Sequence, residues 1–245
     1  MSHVALLLLA RPLAVPIRSS RFAVVGPGRA GTEVVMDLAR AHPRITCDGE
    51  VLAGEPRAAR TTVVGRATMS AARHRTYGCK VLVQHLEQLG PTRVAGLDYL
   101  VDHGFAIVSI RRRNHLRQAM SLLKAREGAF QRRGAGPVPD AAPFVVDTLE
   151  LYRLTVWFRE RDAFCAEHVV PRAALQLVYE DDIDDESMHQ SVADRLHRLV
   201  GVAPVPARTT FRRTSSADLL DGLANPADVR LMVAEAGFGH YLGAP

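Results

Sequence analysis

The sequence predicts an α/β fold in which a central parallel sheet is flanked by helices on both faces. Two stretches carry that expectation. Phe22-Ala23-Val24-Val25 is an apolar run that enters the turn Gly26-Pro27-Gly28-Arg29-Ala30-Gly31-Thr32-Glu33 and leaves it as the amphipathic segment Val34 to Arg40. Phe105-Ala106-Ile107-Val108-Ser109-Ile110 is a second apolar run, which empties into Arg111-Arg112-Arg113-Asn114 and a helical stretch from Leu116 to Phe130. Uninterrupted β-branched runs suit strands covered on both faces, and strand-helix alternation suits parallel pairing.

In chain order the pattern predicts a strand over 22–26 and a helix over 31–41, then a mixed region without periodicity to about 76. A strand over 80–85, a short helix near 91–103 and a strand over 105–110 follow. A helix over 114–130 leads into a loop, Arg132–Pro143, rich in Gly, Pro and Arg. Val145–His168 reads as a long helix packed on the core through Leu149, Tyr152, Val156 and Phe164. A strand over 174–179, a helix over 186–200 and two helices near 216–224 and 226–236 complete the chain. The 245 residues suit one domain over 21–245, with 1–20 an extension that is either disordered or an added strand. Val4–Ala10 is too short to span a bilayer, and no basic region precedes it as a signal peptide would require.

Hydrophobic residues make up 47% of the chain, ample for a packed core, and the net charge is +5. The basic residues are 29 arginines and the two lysines Lys80 and Lys124. Arg111, Arg112, Arg113, Arg117, Arg212 and Arg213 cluster enough to line an anionic-ligand cleft. No nucleic-acid module and little aromatic interleaving accompany the charge, so nucleic acid is not an expected partner. Cys47, Cys79 and Cys165 are widely spaced, without Cys/His ligand spacing, which predicts reduced thiols and no zinc site.

The turn at 26–33 suits a phosphate or sulfate. Glycines at 26, 28 and 31 let backbone N–H groups converge on an anion, the following helix points its positive end there, and Arg29 and Thr32 add a charge and a hydroxyl. Its spacing is not that of a Walker loop, because position 31 is glycine where GxxxxGK[ST] needs lysine. Arg113 and Ser121 are eight residues apart, just over two helical turns, a pairing that suits a second phosphate.

Together these motifs resemble the sulfotransferase superfamily, whose donor is 3′-phosphoadenosine-5′-phosphosulfate (PAPS). The 26–33 loop resembles its 5′-phosphosulfate loop, and Arg113-Asn114 with Ser121 resembles its 3′-phosphate motif. The bacterial nodulation-factor and trehalose branch is the most similar. His42-Pro43 with Gly49-Glu50, the run Gly78-Cys79-Lys80-Val81-Leu82-Val83-Gln84, and Val178-Tyr179-Glu180-Asp181 each resemble that branch's motifs. Two departures stand out: Ala30 replaces the usual serine, and Glu33 puts a carboxylate where the family tends to be neutral.

The resemblance implies a P-loop-like three-layer fold and a cytoplasmic enzyme. It would move a sulfuryl group from PAPS, without a metal, to a hydroxyl of a small molecule, sugar or secondary metabolite. Gly28, Arg29, Ala30, Gly31, Thr32, Glu33, Arg113, Ser121, Arg212 and Arg213 would hold the donor. Lys80, alongside Arg29, would stabilise the leaving oxygen. Glu50, twenty-one residues beyond Arg29 in the matching Gly-Glu context, would be the general base, with Glu33 and Glu55 in reserve. His42, His85 and the acids at 180–181 are expected to be structural, the acids capping a helix or pairing with arginines. A homodimer is left open, and no membrane insertion is expected. Two other functions stay open: an ATP-dependent P-loop-type kinase, and a nucleotide-binding protein that has lost catalysis.

Overall fold

Five strands make one wholly parallel sheet in the order β2-β3-β1-β4-β5: β1 Arg21–Gly26, β2 Ile45–Glu50, β3 Thr76–Leu82, β4 Ala106–Arg111 and β5 Ala173–Val178. The computed structural model describes residues 21–52, 59–73, 75–126, 143–211 and 218–243. The expectations for 1–20, Glu55, Arg212 and Arg213, and most of the 132–143 loop, lie outside them. The helices are α1 Thr32–Arg40, α2 Ala59–Ala72, α3 Arg93–Asp102, α4 His115–Arg126, α5 Thr148–Phe164, α6 His189–Leu199 and α7 Pro226–Glu235.

Alternation along β1 and β4 builds two cores. Phe22, Val24, Val108 and Ile110 face α1 and α6 on one side, through Val35, Leu38, Val192 and Leu196. Ala23, Val25 and Ile107 face the other side, against Val63 of α2, Leu97 and Leu100 of α3 and the turn at Cys165–Val169. The three-layer α/β arrangement expected from the two apolar runs is therefore present. A third cluster lies beyond the sheet, where α4, α5 and α7 bury Leu116, Met120, Leu151, Phe158 and Val233.

The region expected to be mixed contains two regular elements. β2 is an edge strand, half-exposed for most of its length, with Thr46, Asp48 and Gly49 interrupting any apolar run. α2 carries Thr61, Thr62, Val63, Val64 and Gly65, weak helix formers held by burying Val63 and Ala67. β3 begins earlier than the strand expected at 80–85, and Val83–Gln88, with His85 in it, is a short 3-10 helix. α5 faces the core with a different stripe. Leu149 and Tyr152 are exposed, while Leu151, Thr155, Phe158 and Asp162 are buried. The polar members of that stripe are satisfied, Thr155 by donating to the Leu151 carbonyl and Asp162 by accepting from Arg111. Of the helix expected at 216–224, residues 218–224 form turns. Among the described residues, no helix is long and apolar enough to cross a membrane.

Candidate active site

The glycine-rich turn leaves the C-terminal end of the central strand β1, between neighbours β3 and β4, where parallel sheets present their ligand crevice. Gly26 cannot carry a side chain: a Cβ there would stand 2.3 Å from the backbone oxygen of Ile110. Gly31, the N-cap of α1, holds φ +88° with the Tyr179 ring packed close against it. Arg29 holds φ +62°, alone among described non-glycine residues in the left-handed region. That conformation costs about 1–2 kcal/mol for a side-chain-bearing residue, so surrounding contacts must hold it.

Those contacts come from β4's exit and α4. The Arg29 guanidinium donates from Nε (3.1 Å) and Nη2 (3.0 Å) to Ser121 Oγ. Its backbone oxygen accepts from Arg112 Nη1 at 3.1 Å, and the Gly28 oxygen accepts from Gln118 Nε2 at 2.6 Å. Burial lowers the pKa of the Arg29 guanidinium, and the neighbouring Arg112 charge lowers it further. Arg112 is itself buried, stacked 4.1 Å from the Tyr179 ring centroid, and its Nε has no hydrogen-bond partner among the described residues. Two crowded guanidinium groups beside a loop of amides make a site that favours an anion.

A second constellation meets the first through α1. Lys80, buried in β3, stands opposite Glu50 in the β2–β3 ladder, and its Nζ is 2.7 Å from Glu50 Oε1. The same ammonium pairs with Glu33 Oε1 from the first turn of α1. Glu33 and Glu50 remain partly exposed while Lys80 does not. A buried cation thus stands at the loop with two partly exposed carboxylates paired to it.

The structure brings Gly28, Arg29, Ala30, Gly31, Thr32, Glu33, Glu50, Lys80 and Ser121 to one end of the sheet. It does not join Arg113 to Ser121. Arg113 is 62% exposed and pairs with Asp181 and Glu180, whereas Ser121 pairs with Arg29. The strand exit turns Arg112 inward and Arg113 outward, and Arg117 is buried within α4. The acids at 180–181 have the structural roles expected of them. Glu180 accepts from the backbone N–H groups of Arg113 and Asn114 ahead of α4, and Asn114 Oδ1 caps that helix through the Arg117 N–H. Gln118 did not stand out in the sequence, since it belongs to no motif, and Arg112 stood out only as one of the clustered arginines expected to line an anionic-ligand cleft. A glutamine amid the apolar positions of α4 is the one available signal. The thiols of Cys47 and Cys165 are pushed up to about 12 by burial, and that of Cys79 is raised too, so none is a thiolate at neutral pH.

No protein-family model matches the chain, and no curated protein matches it. Among solved structures it is similar to a sulfotransferase from Alicyclobacillus acidocaldarius, at 16% identity and a TM-score of 0.48, covering 89% of this chain and 94% of that one.

Proposed function

We propose that the protein is a PAPS-dependent sulfotransferase acting on a hydroxyl of a small molecule, sugar or secondary metabolite. The observation that carries this reading is Lys80. A buried β3 lysine paired with Glu50 supplies, from a neighbouring strand, the lysine that the 26–33 loop lacks beside Arg29. The site fits the donor. Gly26 admits a closely packed turn, the N-terminus of α1 opens where an anion would be favoured, and the buried Arg112 Nε has no hydrogen-bond partner among the described residues.

In this reading the loop amides and Arg29 hold the 5′-phosphosulfate, with Arg113, on leaving Asp181, and Ser121, on leaving Arg29, assigned to the 3′-phosphate. The acceptor oxygen attacks sulfur and its proton passes to Glu50. The bond from sulfur to the bridging oxygen breaks, and that oxygen keeps the electron pair. Lys80 meets the charge developing there, as a fixed donor in a mostly desolvated position. The acceptor is a freely diffusing molecule in the cytoplasm, and the donor is a co-substrate used without a metal.

Calorimetry tests the reading. Adenosine 3′,5′-bisphosphate is expected to bind far more tightly than AMP or ATP without added Mg²⁺. Tight ATP binding that needs Mg²⁺, with none of the bisphosphate, would establish the kinase instead. The Lys80–Glu33 pair favours one second reading, a nucleotide-binding protein without turnover, because it already engages the catalytic ammonium. Bisphosphate binding without sulfation of any hydroxyl in an acceptor panel would select it.

A further inference from the structure

Gln118 lies in α4, one turn before Ser121, and is completely buried. Its Nε2 reaches ninety residues back along the chain to a single backbone oxygen, that of Gly28. Its Oε1 is buried with no hydrogen-bond partner among the described residues. For helix packing alone a leucine or methionine would serve better, because a half-satisfied buried amide is costly. The contact therefore points to the loop.

The peptide geometry shows what it does there. No peptide bond among the described residues is cis, and in a trans peptide the C=O and N–H of one unit point in opposite directions. The Gly28 carbonyl shares its unit with the Arg29 N–H, and the Arg29 carbonyl shares its unit with the Ala30 N–H. Gln118 holds the first carbonyl and Arg112 the second, at 2.6 and 3.1 Å. Both amides must then face away from these donors. Arg29 at φ +62° and Gly31 at φ +88° curve the same segment, the arrangement in which successive N–H groups form a concave anion cradle.

Resting on the donor reading above, we infer that Gln118, assisted by Arg112, is a positioning residue that turns the Arg29 and Ala30 amides toward the bound 5′-phosphosulfate. Without it, a loop holding a non-glycine residue in the left-handed region relaxes, and the amides turn out of line.

The test uses the full ¹⁵N-labelled chain titrated with sodium sulfate and, separately, with adenosine 3′,5′-bisphosphate. It reads dissociation constants and the amide resonances of Arg29, Ala30 and Gly31. Gln118→Met keeps volume but loses the donor, and is expected to weaken both anions roughly 10-fold, the effect of one such hydrogen bond. Gln118→Glu keeps the shape. Ionised at pH 8 it cannot donate to Gly28; protonated at low pH it can. Its affinity relative to wild type is therefore expected to recover as pH falls, which loss of packing would not produce. Wild-type affinity and unchanged amide shifts in both variants would overturn the inference, as would a Gln118→Glu deficit equal at both pH values. Wild type binding neither anion would overturn the donor reading itself, a different result from either. Should Gln118→Met fail to fold, the isosteric Gln118→Glu carries the test alone.

Discussion

Lys80 and Glu50 face each other across the β2–β3 ladder, Nζ to Oε1 at 2.7 Å, with the lysine buried and the carboxylate reaching solvent. Adjacent parallel strands fix that pairing through the backbone, so it does not depend on two long side chains finding each other. Glu33 adds a second carboxylate from a separate element, the first turn of α1. The resulting group carries a formal charge of −1 when all three members are ionised. A donor with several negative charges therefore gains from Arg29 and the amides and loses against Glu33.

Glu50→Gln is expected to lower turnover roughly 100- to 10,000-fold while bisphosphate affinity hardly moves, because it removes proton acceptance and the ion pair with Lys80 but none of the groups assigned to hold the donor. Lys80 keeps Glu33 as its partner, so the fold should persist. Steady-state sulfation of an acceptor found by panel screening checks it, with calorimetry alongside. Normal turnover in Glu50→Gln but none in Glu33→Gln would move the base to Glu33.

Glu33→Gln is expected to tighten adenosine 3′,5′-bisphosphate several-fold. Two like charges about 6 Å apart repel by about 3 kcal/mol at an effective dielectric constant of 20, and screening leaves only part of that. The gain should shrink as salt rises. Weaker binding in Glu33→Gln at every ionic strength would mean that Glu33 serves mainly to hold Lys80.

Arg113 can grip a 3′-phosphate only by leaving Asp181, an exchange that favours the phosphate because the present pair is exposed. Arg113→Ala is expected to weaken the bisphosphate roughly 10- to 150-fold, as loss of a charge-assisted hydrogen bond would. Adenosine 5′-phosphosulfate, lacking that phosphate, should be unaffected. Equal, small losses for both nucleotides would pass the role to the buried Arg117.

What could be read from the sequence follows burial. β1 and β4 lie at the sheet centre, covered on both faces, and so appear as unbroken apolar runs. β2 lies at the edge and needs no such run, so Asp48 and Gly49 conceal it. In α5, the exposed Leu149 and Tyr152 imitate a core stripe, while the buried Thr155 and Asp162 owe their places to hydrogen bonds that no hydropathy pattern reveals. At the site, residues within the loop announced themselves by spacing. The reach of Gln118 to Gly28, or the turn that faces Arg112 inward and Arg113 outward, depends on how α4 docks. One residue of rotation at a strand exit is beyond what spacing can specify.

His197 is completely buried against His42, ring centroids 5.0 Å apart, and neither of its ring nitrogens has a hydrogen-bond partner among the described residues. Burial lowers its pKa, and the neighbouring His42 lowers it further against the opposing pull of Asp194. The unfolded chain therefore binds a proton that the folded chain resists. This contribution to stability is complete above the unfolded value near 6.5 and is lost as pH falls below it. Thermal melts of wild type and His197→Phe from pH 7.5 to 5 should show the variant losing less stability as the pH falls. Parallel curves would assign the acid sensitivity to other groups.

Gly26 and Gly28 both belong to the glycine-rich loop, yet the structure separates their roles. A Cβ on Gly26 would meet the Ile110 backbone oxygen at 2.3 Å and its Cγ2 at 2.9 Å, and backbone on the adjoining central strand cannot step aside. A Cβ on Gly28 would meet only Leu82 Cδ1, at 3.9 Å, an ordinary contact. Gly26→Ala should therefore lose about 1–3 kcal/mol or more through overpacking, and should weaken anion binding because the strand end that launches the loop must shift. Gly28→Ala should melt close to wild type. Urea denaturation of the two variants, followed by sulfate titration of whichever folds, measures both expectations. Equal destabilisation of the two would show that chain flexibility, not the approach of β1 to β4, is what these glycines supply.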